Sequence, residues 1–172
     1  MLYLRPYRKN DAQKIAAWCQ DEITFYKWSE GRLGNFPVSP ERIEQAVSGR
    51  IDNETYFPFV VFDKDGIKGF FTLRQPGKNA DELSFGYVIL SPEARGQGYG
   101  KQMMRLGIIF AFELYGASKV TLEVFENNPQ AYHCYKSAGF IENGSIAFYN
   151  LCNEEWKSIE MELTKKASDP TG

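Results

Sequence analysis

Apolar and polar positions along the chain fall into two rhythms, and the places where one gives way to the other predict the elements. Leu2 to Tyr7 reads as a first strand. Asn10 or Asp11 then caps a helix whose Ala12, Ile15, Ala16 and Cys19 recur at i, i+3, i+4 and i+7. The stretch 21–37 has neither rhythm. It is aromatic (Phe25, Tyr26, Trp28, Phe36), is broken by Gly31, Gly34 and Pro37, and is expected to be irregular. Ser39-Pro40 looks like an N-cap with proline in the first helical position, and Ile43, Ala46 and Val47 supply that helix's apolar face. Phe57 to Phe62 reads as a strand, Asp63 to Gly66 as a hairpin turn, and Ile67 to Leu73 as the returning strand. Strand four runs from about Leu83 to Leu90, and a helix follows that ends at Gly116, a suitable residue for the left-handed turn. Lys119 to Phe125 alternates Val120, Leu122 and Val124 as strand five. Asn128 caps a helix that begins at Pro129 and ends at Gly139. Ile141 to Leu151 and Trp156 to Leu163 read as two final strands.

The predicted order is β-α-α-β-β-β-α-β-α-β-β. It implies an α/β (α+β) fold: a mixed, largely antiparallel sheet of about seven strands flanked by about four helices. A Rossmann sheet would need strict βα alternation, which strands two to four break. The length of 172 residues suits one domain, expected over 1–164, with 165–172 as a loose polar tail.

Between strand four and its helix lies Leu90-Ser91-Pro92-Glu93-Ala94-Arg95-Gly96-Gln97-Gly98-Tyr99-Gly100-Lys101. Alternating glycines at 96, 98 and 100 clear side chains from the backbone, and the helix that starts there aims its unpaired N–H groups and positive end at the turn. The combination predicts an anion site, best suited to a phosphate or pyrophosphate. It is not a P-loop: the residue five before Gly100 is Arg95, and Gln102 follows Lys101. Nor is it a dinucleotide fingerprint, whose third glycine position holds Lys101. What is satisfied is Arg-x-x-Gly-x-Gly, by Arg95, Gly98 and Gly100. Downstream, Asn128, Ala131, Tyr135, Gly139 and Phe140 satisfy Asn-x-x-Ala-x-x-x-Tyr-x-x-x-Gly-Phe after a strand.

These two motifs in this order resemble the GCN5-related N-acetyltransferase (GNAT) family, and the motif-level likeness covers residues 83–140. The resemblance implies transfer of an acetyl group from acetyl-CoA to a primary amine by direct attack in a ternary complex. It implies that the backbone of Gly96 to Lys101, with Arg95, Gly96, Gln97, Gly98, Tyr99, Gly100 and Lys101 as the loop, holds the pyrophosphate. It places the pantetheine arm as an extra strand against Val88, Ile89 and Leu90, with an N–H there, that of Val88, polarising the thioester carbonyl. Asn128 would bind the arm or a nearby carbonyl. Tyr135 takes the position of the general acid that protonates the departing thiolate. Glu123 takes the position of the base in some relatives, with Glu82 or a water chain as alternatives; Ser84 stands where some relatives carry glutamate. His133 and Cys134 read as helix surface and packing. Two other readings stay open: a protein N-terminal acetyltransferase of the ribosomal-protein type, and a non-catalytic acyl-CoA-binding module.

Composition narrows the partners. The net charge is −2 with no basic tract, so no nucleic-acid partner is expected. No run approaches about 18 apolar residues, so no membrane span is expected. Met1 to Asp11 lacks the apolar core of a signal peptide, and a cytoplasmic location is the default. Three cysteines and one histidine suggest neither a disulfide framework nor a metal site. Asp21, Glu22, Glu30, Glu41 and Glu44 would suit a cationic, small-molecule amine, held partly by the aromatic faces of Phe25 to Phe36. The final hairpin is a possible homodimer surface.

Overall fold

The computed structural model describes residues 1–50 and 55–167. The strands are β1 (Tyr3–Pro6), β2 (Tyr56–Asp63), β3 (Gly66–Arg74), β4 (Glu82–Leu90), β5 (Lys119–Phe125), β6 (Ile141–Leu151) and β7 (Glu154–Thr164). They form one sheet in the order β1-β2-β3-β4-β5-β7-β6. Every neighbouring pair is antiparallel except β4 and β5. This is the mixed, largely antiparallel α/β sheet expected from the element order. The expected tail is described only as far as residue 167; residues 168–172 lie outside the described residues.

The helices are α1 (Asp11–Trp18), α2 (Glu22–Ser29), α3 (Pro40–Ser48), α4 (Tyr99–Ile109) and α5 (Pro129–Ser137). Here the structure corrects the sequence reading: the segment expected to be irregular contains α2, so three helices, not two, precede β2. Ile23, Thr24, Phe25, Tyr26 and Trp28 are weak helix formers, and propensity alone argues against a helix there. Tertiary packing overrides it, with Phe25 fully buried and Trp28 nearly so. Asp21 supplies the start signal, accepting a hydrogen bond from the Thr24 N–H at 2.8 Å. Ser39 and Asn128 cap α3 and α5 as expected, accepting from Arg42 N–H and Ala131 N–H. The helix after the glycine loop continues past α4 as a wide π turn over Phe110–Tyr115 and stops at Gly116, whose φ is 88°.

Both faces of the central strands are covered, so consecutive residues enter different cores. Val60, Phe70 and Ile89 meet Ile15, Phe25, Trp28 and Ile43 from α1, α2 and α3. Val61, Phe71 and Phe85 meet Met103, Met104 and Tyr135 from α4 and α5. The second contact is close. A Cβ on Gly107 of α4 would lie 2.5 Å from Phe85 Cε1 and 3.0 Å from Phe71 Cζ. Gly107→Ala is therefore expected to destabilise despite the better helix former. Overpacking costs about 1–3 kcal/mol and propensity returns about 1 kcal/mol. The melting temperature should fall, by up to about 8 °C in a chain of this size. An unchanged or raised value would show that the two rings yield.

Candidate active site

β4 and β5 pair only at their starts, Glu82 to Ser84 against Lys119 to Thr121. Beyond that they diverge. β5 stays in the sheet through β7, with its whole length paired from Lys119 to Phe125. β4 is turned away by a bulge: its register with β3 moves from Thr72↔Gly86 to Phe70↔Ile89, so Tyr87 and Val88 together oppose Phe71. Tyr87 has φ 49°, a strained value for an aromatic residue. The divergence opens a cleft of about 580 Å³ between the strands. Along its β4 wall, Val88, Ile89 and Leu90 present backbone groups that β5 no longer reaches. An extended amide-bearing chain can add there as a further strand.

One end of the cleft is the glycine loop. A single 3₁₀ turn, Pro92–Ala94, leads from β4, and Gly96 and Gly98 follow with φ of 72° and 77°. A Cβ on either would meet no atom within 4 Å, so the space over the loop is open to a ligand. Gly98 is the residue before α4, and no side chain caps that helix. The first N–H groups of α4 are thus available to an anion. Gly100 has a different reason to be glycine: a Cβ there would come 2.9 Å from Cys134 Sγ, so it sets the approach of α4 to α5. Lys101 lines the cleft and forms no ion pair among the described residues. The Arg95 guanidinium is committed to the scaffold, donating to Leu90 O at 3.2 Å and Trp18 O at 3.4 Å. Gln97 and Tyr99 do not line the cleft. Gln97 donates to Glu93 O, and the Tyr99 hydroxyl reaches Asp63 at 3.4 Å, so any part they take in the loop belongs to their backbone.

The middle of the cleft holds Tyr135. It is 7% exposed, packs on Phe140, and forms no hydrogen bond through its hydroxyl among the described residues. Burial, then the neighbouring Cys134 and Glu30, push its phenol above the usual range. Asn128 lines the same wall, although its side-chain oxygen already accepts from Ala131 N–H at 3.4 Å. Cys134 also lines it, and burial raises its thiol, as befits packing and not a nucleophile.

Thr24, Lys27, Trp28 and Glu30, from α2 and its end, line the cleft together with Glu123. Glu123 is half-buried on β5 and accepts a hydrogen bond from the Tyr149 hydroxyl at 3.1 Å. The alternative base Glu82 sits at the closed end, where β4 and β5 still pair. It bonds Lys119 at 2.8 Å and Asn79 at 2.9 Å, and it does not line the cleft. Of the acidic residues in the early helices, only Glu30 reaches the cleft. Asp21 is spent on capping α2, and Glu44 accepts from Tyr7 and Ser48. Phe25 and Phe36 belong to the core as a ring pair 5.9 Å apart, leaving Trp28, 5.6 Å from Tyr87, as the aromatic wall. No group of three or more His, Cys, Asp or Glu side chains arranged to hold a metal occurs among the described residues. No described helix is long and apolar enough to cross a membrane.

The sequence profile of the acetyltransferase (GNAT) domain matches residues 1–141. A spermidine N(1)-acetyltransferase of Vibrio cholerae is 26% identical over 160 residues, covering 92% of this chain and 90% of that protein. A spermine/spermidine N(1)-acetyltransferase of Bacillus subtilis is 39% identical over 54 residues, 31% of this chain and 36% of that one. The crystal structure of the Vibrio cholerae spermidine N-acetyltransferase with CoA and spermine superposes with a TM-score of 0.80 at 21% identity, covering 95% of both chains.

Proposed function

We propose that this chain, a member of the GNAT acetyltransferase family and an acetyl-CoA-dependent N-acetyltransferase of small primary amines, takes a polyamine as its acceptor. The observation that carries the acceptor reading is the lining of the cleft, to which Glu30 and Glu123 both contribute together with Trp28. Carboxylates bind an ammonium group by charge, and an indole face adds cation–π attraction. The relatives named for spermidine and spermine support the same class.

In this reading acetyl-CoA lies along the β4 wall with its pyrophosphate over Gly96 and Gly98 and the first turn of α4. The open space above both glycines and the uncapped helix start fit that group. Lys101 adds a charge at the rim, and Arg95 acts through the scaffold it ties together. The Val88 N–H polarises the thioester carbonyl; a donor aimed at a developing oxyanion contributes about 3–4 kcal/mol in known cases. Glu123, oriented by Tyr149, accepts a proton from the amine, the amine nitrogen attacks the carbonyl carbon, and Tyr135 gives its proton to the departing sulfur. Asn128 caps α5 and so holds Tyr135 in place, while its amide N–H₂ remains for the pantetheine arm. We take residues 1–164 as the one catalytic domain. The three cysteines are unpaired, which suits a reducing cytoplasm. Pairing of two copies through the final hairpin is consistent with the exposed Ile146 and Phe148 of β6, and a relative of the same fold has a dodecameric structure.

The test is kcat/KM by CoA release for spermidine, spermine, amino acids, aminoglycosides and short N-terminal peptides. Polyamines are expected to lead the other classes by at least about tenfold, the equivalent of about 1.4 kcal/mol. Turnover of the peptides alone would overturn the polyamine reading and make the α2 region a peptide-binding wall. Saturable acetyl-CoA binding without any turnover would make the chain a sensor.

A further inference from the structure

Ser158 is a polar residue in the cleft that packing does not explain. It is 2% exposed, yet it lines the cleft. Its hydroxyl forms no hydrogen bond among the described residues. The side-chain polar atoms that are wholly enclosed without a partner there belong to Trp28, Tyr56, Ser91 and Trp156. The Ser158 Oγ is not one of them, so the small surface this residue keeps includes its hydroxyl, and that surface opens on the cleft. A hydroxyl held deep in a protein needs a partner, and this one has to be satisfied from the cleft, by water or by a bound molecule.

The strand pairing fixes where it stands. Ser158 of β7 lies opposite Phe125 of β5, and Ala147 of β6 lies opposite Ser158. Phe125 on one side and Ala147 on the other offer the hydroxyl no polar partner. The Phe125 ring is held in turn by Tyr149 at 5.4 Å and Trp156 at 5.2 Å. Leu122, Val124 and Met161 belong to the core under α4 and α5. Alternation therefore puts Glu123, Phe125 and Ser158 on the other face of the sheet, the side of α1, α2 and α3. Ser158 is the one residue of β7 in the cleft lining among the described residues, so the cleft extends across β5 on that face.

We propose that Ser158 is a specificity-determining residue for the acceptor: its hydroxyl accepts a hydrogen bond from a second nitrogen, one short alkyl spacer beyond the nitrogen that is acetylated. This rests on the reading of the cleft as an amine acetyltransferase site. In that reading the pantetheine arm runs as an added strand between β4 and β5. β7 is two strand spacings from such a strand, about 10 Å. The serine side chain and a hydrogen bond of about 2.9 Å close only part of that distance. The reacting nitrogen has to touch the thioester carbon, so it lies over the arm and out of reach of Ser158. What Ser158 meets is the continuation of the acceptor across β5. No bond forms or breaks there.

A diamine or polyamine carries an N–H donor at that distance from its reacting end, and a hydroxyl accepts from it whether the nitrogen is charged or neutral. An alkyl monoamine of the same length offers carbon at the same place. A site built to pair a polar group rejects the analogue that lacks it, because the protein's own group is then left without a partner. Ser158 thus separates acceptors by the presence of a second nitrogen and not by charge at the reacting one.

The experiment compares wild type with Ser158→Ala on spermidine and on an unbranched alkyl monoamine of the same length. Alanine removes the hydroxyl, leaves no protein group unpaired, and matches Ala147 on the adjacent strand, so the variant should fold. For spermidine, kcat/KM is expected to fall about tenfold, the usual effect of one hydrogen bond to a charged group. The loss should lie in KM, with kcat held, because the contact is the same in ground and transition states. The monoamine should be acetylated alike by both proteins. Calorimetry on the CoA-saturated protein gives a readout that does not need turnover: spermidine affinity should fall about tenfold in Ser158→Ala, and monoamine affinity should hold. Unchanged spermidine affinity, or an equal loss for both amines, overturns the proposal. If wild type acetylates another amine class faster, the polyamine reading falls. The comparison is then made with that amine and its analogue lacking the second N–H group, and the same two outcomes decide on Ser158.

Discussion

In a Gly98→Asp variant, acetyl-CoA is expected no longer to raise the melting temperature. For wild type, ligand at about 100 times Kd stabilises by about 2.7 kcal/mol through mass action. In a chain of this length that is a rise of about 5–10 °C. The substitution places a carboxylate where a Cβ meets no atom within 4 Å, so no neighbouring atom obstructs it and only the backbone conformation is strained. Aspartate is also among the residues that tolerate the left-handed region Gly98 occupies, so the variant should fold. The new charge would point into the open space assigned to the pyrophosphate, at the uncapped start of α4. Loss of the shift in a folded variant therefore reports on that space alone. A full-sized shift would remove the loop from the binding site.

Tyr135→Phe is expected to lower kcat by about 10²-fold or more while acetyl-CoA affinity stays near wild type. The ring is fixed by the core shared with Phe140, and phenylalanine keeps that packing. What is lost is one hydroxyl with no hydrogen-bond partner among the described residues, so removal strands no donor or acceptor inside the protein. The observed burial favours the neutral phenol, and the same burial penalises the bare thiolate it would meet. Single-turnover measurements on the variant would separate slow C–S cleavage from slow release. An unchanged kcat would make Tyr135 a packing residue and leave solvent to protonate the thiolate.

Much of the fold could be read along the chain because its signals are local. Caps at Ser39 and Asn128, prolines at 40 and 129, and alternation through strand five need only consecutive residues, and the elements formed where those signals lay. The glycine loop was legible for the same reason: spacing, φ freedom and a helix start all fall within a few residues. α2 was not, since weak helix formers are held there by the core around Phe25, which no local window contains.

The candidate site divides along the same line. The motif residues Gly96, Gly98, Asn128 and Tyr135 could be named from the sequence because each is tied to a turn or helix that the sequence itself specifies. Which carboxylates line the cleft could not. Glu123 takes the family's base position with Glu82 as an alternative the letters leave open, and Glu30 is one of several acids in the early helices. The pairing of β4 and β5 at their starts locks Glu82 to Lys119, while their divergence turns Glu123 into the cleft. The docking of α2 brings Glu30 into the lining of the same cleft. Sequence by itself determined most of the elements, the glycine loop and the placing of Tyr135 on α5, because those signals are local. Only tertiary structure decided which acidic side chains line the cleft, because strand divergence and helix docking follow from packing between segments far apart in the chain.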